Sequence, residues 1–77
     1  MKQHIVENLV AEISDDQILT LTTDLKQVVT RTVKSNNPAA CSTRGMKQLL
    51  ELRNGELVPN GWTIQVNVFR KDRDGSD

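Results

Sequence analysis

The sequence predicts a small α+β domain in which one principal helix packs on a short, mainly antiparallel sheet. Three observations carry that expectation. Residues 15–34 place apolar side chains at helical spacing behind a capping signal. Residues 62–69 alternate with the period of a strand. The chain has 77 residues, which leaves room for one modest core.

The helix is expected to begin at "SDDQ". Ser14 can cap it, and Gln17 stands three residues later, at the capping-box position. Asp15 and Asp16 fall where a helix dipole favours negative charge. Ile18, Leu21, Leu25, Val28 and Val29 follow at helical spacing, and Arg31 and Lys34 occupy the last turn. "NNP" at 36–38 is a stop, because Asn tolerates the left-handed cap and Pro38 pushes Asn37 out of the α region. The β-branched Thr20, Thr22, Thr23, Thr30 and Thr32 oppose a helix. They support a rival hairpin of "ILTLTT" with "QVVTRTV".

In "GWTIQVNVF", Trp62, Ile64, Val66 and Val68 share one strand face, and Thr63, Gln65, Asn67 and Phe69 share the other. The first face is expected to floor the core, with Trp62 buried. This strand needs a partner for its backbone groups. The apolar segment at about 4–12, "HIVENLVAE", is expected to supply one, although Ile5, Val6, Leu9, Val10 and Ile13 also make a helical stripe. Residues 39–45, "AACSTRG", read as a loop. A second short helix is expected at about 44–53, because Met, Lys, Gln, Leu and Glu favour one. The alternative there is a hairpin turning at Asn54-Gly55, with Arg53 facing Glu56. "VPNGW" reads as a turn. Residues 1–69 form the expected domain, and 70–77, "RKDRDGSD", a flexible charged tail without apolar content.

Lys and Arg total 10, as do Asp and Glu, so the formal net charge is zero. That lowers the expectation of binding driven by phosphate neutralisation or by anionic lipid. Cys41 is the lone cysteine, which excludes a disulfide framework within one chain. "MKQHIVENLV" has no apolar run long enough for a signal peptide, and no window spans a bilayer. A cytoplasmic protein is expected.

No catalytic grouping has credible spacing. His4 and Cys41 form a nucleophile–base pair only if the fold brings them together, and they cannot make a zinc site alone. Asp15 with Asp16 is explained by the helix terminus. Asp72, Asp74 and Asp77 with Gly75 resemble a calcium loop without its closing Glu. No enzyme activity, metal or cofactor is expected.

Two surfaces remain. Thr63, Gln65, Asn67 and Phe69 form a polar, uncharged face with one large apolar residue, suited to contact with another protein, including a second copy. The expected function is therefore that of a small non-enzymatic interaction or regulatory protein. The alternative is a nucleic-acid-binding module using Arg44, Lys47, Arg70 and Lys71, with Phe69 available for stacking. Asp72 and Asp74 offset part of that charge, as at an ordinary solvated strand end. The discriminating feature is whether those four cations converge on one face.

Overall fold

Strand alternation and turn chemistry, not helical periodicity, organise the chain. The computed structural model describes residues 1–71, and none of these is helical. Eight strands follow in order: β1 Lys2–Val6, β2 Leu9–Ile13, β3 Leu19–Thr22, β4 Thr30–Arg31, β5 Pro38–Ser42, β6 Lys47–Arg53, β7 Glu56–Ile64 and β8 Asn67–Phe69. They make three antiparallel sheets, ordered β1-β2-β3, β4-β5-β8 and β6-β7. The fold is all-β, which corrects the expected α+β class.

The principal helix at 15–34 is absent. Residues 14–18 instead form the β2–β3 turn. The Gln17 amide donates to the Ser14 carbonyl at 2.9 Å, and the Ile18 amide donates to Ser14 Oγ at 3.1 Å. Gln17 has φ 68°, a left-handed conformation that ends the turn. Ser and Asp favour the opening positions of a β-turn for the same reason that they cap helices: their short side chains accept bonds from nearby amides. The capping signal was therefore compatible with both structures, and the β-branched Thr residues favoured the strand. The rival hairpin is not formed as a pair either. "ILTLTT" pairs with β2, and "TR" at 30–31 pairs with β5. Asn36 does adopt the left-handed conformation expected of it, φ 56°, but in the β4–β5 hairpin loop.

The second expected helix, at 44–53, is strand β6. Asn54 (φ 53°) and Gly55 (φ 83°) both have positive φ, as a type I′ turn requires, and Arg53 faces Glu56 across it. "PNGW" does not reverse the chain. It is an irregularity within β7, where Gly61 has φ 95° and the Trp62 amide donates to Asn60 Oδ1 at 2.8 Å. The segment 4–12 is extended, but it is broken by a turn at Glu7-Asn8 and pairs with itself and β3, not with residues 62–69. The strand at 62–69 is itself divided: Trp62–Ile64 end β7 against β6, and β8 pairs with β5.

The expected loop at 39–45 contains the central strand of the second sheet. Ala39, Ala40 and Cys41 are buried there between β4 and β8. Pro38 starts the strand, a position where a missing amide is tolerated. Leu9, Ala11 and Leu49 complete the apolar core. None of residues 50–62 is buried, and Trp62 is 70% exposed, contrary to the burial expected of it.

So small a core does not by itself hold three sheets together. Two polar side chains link the first sheet to the others, and a third reinforces the second sheet. The Gln3 amide joins β1 to β6, donating to the Leu50 carbonyl at 2.8 Å and accepting from the Leu50 amide at 3.0 Å. Asn8 Nδ2 donates to the Ala40 carbonyl of β5 at 2.9 Å and the Asp24 carbonyl at 3.0 Å, and its Oδ1 accepts from the Asp24 amide. The buried Thr43 extends the β5–β8 pairing of the second sheet one step beyond Ser42 and Asn67: its amide donates to the Val66 carbonyl at 2.9 Å, and its hydroxyl oxygen accepts from the Val66 amide at 3.0 Å.

Two predictions follow from these contacts. Asn8→Ala leaves the Ala40 and Asp24 groups without their partner and places Ala at φ 65°. It should destabilise the fold by about 1–3 kcal/mol in urea unfolding; an unchanged midpoint would show that the link is dispensable. The Trp62 fluorescence of the isolated chain should peak near that of free tryptophan and be readily quenched by acrylamide, whereas a blue-shifted, protected signal would contradict its exposure.

Candidate protein-interaction surface

An extended backbone with a small core leaves apolar side chains outside. The extents of the molecule are 53 × 20 × 16 Å and its radius of gyration is 14.8 Å. A compact domain of this length would have a radius of about 11 Å. The accessible surface is 5881 Å² for 8.7 kDa. A typical folded monomer of that mass exposes about 4,700 Å². The excess, roughly 1,000 Å², is of the order that each partner buries in a stable complex.

Part of this apolar surface lines one groove. Leu25 (73% exposed) and Val28 (54%) stand on the loop before β4, and Phe69 (51%) stands on β8. Pro38 and Ala40 of β5 and Val68 also line the groove, with Arg70 at its edge. Its volume is about 420 Å³. The Asp24 carboxylate shapes the loop by accepting from the Lys26 amide at 2.9 Å and from Gln27 Nε2 at 3.3 Å, while Asn8 fixes the loop's backbone to β5. Hence the walls are held by polar contacts, while most of the side chains lining the groove are apolar, Gln27 and Arg70 excepted. Sequence reading identified Phe69 as an anchor but missed Leu25 and Val28, which it had assigned to a helix stripe. Their opposition to Phe69 depends on pairing between segments far apart in sequence.

The other residues of the expected contact face are dispersed. Thr63 lines a separate cleft with Trp62, Leu19, Leu49 and Ile64. Gln65 is exposed between β7 and β8. Asn67 Oδ1 accepts from Ser42 Oγ at 2.6 Å. Thus the strand break after Ile64 leaves Phe69 as the member that belongs to the groove.

The four cations of the alternative reading divide into two places. Arg44 and Lys47 line a cleft that also contains Glu7. Arg70 lies at the Pro38 end of β5, where its amide donates to the Pro38 carbonyl at 2.9 Å. Arg44 lies at the Ser42 end, where its amide donates to Ser42 Oγ at 3.2 Å, and its guanidinium donates to Thr30 Oγ1. Those ends are about 13 Å apart along the strand. Lys71 is exposed. Arg44 instead shares a cleft with Arg31 and Lys34, beside Ser42 and Asn67, and no carboxylate lines it. Those two further cations were overlooked because both had been placed in a helix.

His4 is exposed on β1 and Cys41 is fully buried on β5, and no hydrogen bond joins them. Among the described residues no group of three His, Cys, Asp or Glu side chains is placed to hold a metal ion. Asp15 and Asp16 are exposed in a β-turn and not at a helix terminus. The expected calcium-like loop and most of the expected tail, residues 72–77, lie outside the described residues. No described helix is long and apolar enough to cross a membrane. Comparison with family models, curated proteins and solved structures finds no match.

The position of Cys41 gives a direct check on the packing of β5. In the native protein its thiol should react with an alkylating reagent many-fold more slowly than in urea. Equal rates in the two states would mean that Cys41 is not buried.

Proposed function

We propose that this chain is a non-enzymatic interaction module that binds another polypeptide in the groove between Leu25, Val28 and Phe69. The observation that carries the proposal is the exposure of three large apolar side chains around a floor of Pro38 and Ala40. Small floor residues let an incoming apolar side chain approach the sheet. The walls then supply contact area that gains from leaving water. A cytoplasmic setting fits the lone, buried thiol.

One observation favours a second reading, binding of nucleic-acid phosphate. The cleft holding Arg31, Lys34 and Arg44 lacks a carboxylate on its lining. The zero net charge gives that reading no long-range attraction.

The readings separate in a paired experiment. The immobilised chain should retain a specific protein at near-equal stoichiometry, Phe69→Ala should reduce retention about ten-fold or more, and Arg44→Ala should leave it unchanged. Phe69→Ala should keep the fold, since the side chain is half exposed. Retention insensitive to Phe69→Ala would overturn the groove as the site. Salt-sensitive oligonucleotide binding lost in Arg44→Ala would favour the second reading.

A further inference from the structure

Strand edges differ in how well they are guarded. An edge strand presents unpaired amides and carbonyls, and monomeric proteins blunt it with charge, proline, bulges or short length. Most edges here carry such a device. β1 has Lys2 and an irregularity between His4 and Val6. β4 is two residues long and contains Arg31. β6 has Lys47, Glu51 and Arg53, and β7 has Glu56 and Pro59. β8 is three residues long and is followed by Arg70 and Lys71.

β3, four residues long, carries no charge, proline or bulge. It hydrogen-bonds to β2 on one side and is the last strand of its sheet on the other. From Ile18 to Thr23 the chain reads "ILTLTT", without charge, proline or glycine. All four residues of β3 are exposed, including Leu19 (40%) and Leu21 (41%). The register with β2 is regular, Ile13 opposite Leu19 and Ala11 opposite Leu21, so the edge is not bulged. The nearest following charge, Asp24, is turned to its own loop by Lys26.

We infer that β3 pairs antiparallel with β3 of a second copy, joining two three-stranded sheets into one of six strands. A second copy is the occupant that the surface favours. An antiparallel pairing of one strand with itself is two-fold symmetric, so a single contact covers both unguarded edges. The zero net charge of the chain opposes no such approach. The Leu19 and Leu21 side chains of both copies then line one continuous face. Beside Leu19 lies the cleft of about 310 Å³ bearing Ile13, Trp62 and Ile64, whose apolar lining the joined sheet extends. This contact is separate from the Phe69 groove.

Sedimentation equilibrium tests it across micromolar to millimolar concentrations. The chain should dimerise, and Thr20→Lys should weaken dimerisation about ten-fold or more by placing two like charges at the joined edge. The introduced ammonium sits opposite Glu12 in the β2–β3 register, so the monomer should keep its strand signature in circular dichroism. Thr22→Lys repeats the test beside Val10. Phe69→Ala should leave the dimer intact, which distinguishes this contact from the groove. Hydrogen exchange at the amides of residues 19–22 should slow with concentration in the parent chain and not in Thr20→Lys. A chain that remains monomeric, or a dimer unaffected by both lysine substitutions, overturns the inference. A dimer dissolved by Phe69→Ala alone places the contact in the groove and overturns it as well.

Discussion

The side-chain amide of Asn8 is the interaction on which the arrangement most depends. Asn8 occupies a tight turn at φ 65°, a conformation that Asn adopts more readily than most residues. That turn closes the β1–β2 hairpin and at the same time points the amide at two other segments. Nδ2 donates to Ala40 in the centre of the second sheet and to Asp24 in the loop that walls the groove. One residue thereby sets the hairpin, ties the first sheet to the second and places Leu25 and Val28 across from Phe69. Gln3 acts in the same way between the first sheet and the third. Each replaces a backbone ladder partner with a side chain, which satisfies polar groups that an apolar core would leave unpaired.

This construction explains why so much apolar surface is outside. A compact domain stacks sheet faces and buries large side chains between them. Here the buried apolar positions are mostly small, Ala11, Ala39, Ala40 and Cys41 among them, and Leu9 and Leu49 are the large exceptions. Small residues let backbones approach closely enough for side-chain amides to reach carbonyls. They also contribute little hydrophobic stabilisation, since each carries few buried methylene groups. The large apolar residues are left on strand edges, hairpin tips and loop walls. The proposed protein contact would draw on that surface.

Much of the local conformation was legible in the sequence, and much of the pairing was not. Asn54-Gly55 carried its type I′ turn openly, and Asn36 its left-handed φ, because both depend on one residue's sterics. The strand at 62–69 was visible from alternation, though not its division between two sheets. The helix at 15–34 failed because Ser14, Asp15 and Asp16 stabilise a β-turn by the same bonds that cap a helix. The spacing of Leu21, Leu25 and Val28 then fitted a stripe that tertiary structure divided between β3 and a loop. β5 was unreadable locally. "AACS" has no strand pattern, and its extended state comes from partners at residues 30–31 and 67–69. The groove inherits that difficulty: Phe69 could be singled out alone, but its opposing wall required a long-range pairing.

The claim that polar side chains join the sheets into one unit is tested most directly by native-state hydrogen exchange at the amide of Leu50. Its link to another sheet is a side chain: Gln3 Oε1 on β1 accepts from it. The Leu50 amide should exchange as slowly as ladder amides in the centre of β2 and be released in the same cooperative opening. Fast exchange at Leu50 beside a protected β2 would contradict the claim, and would mean that the first and third sheets open independently of one another.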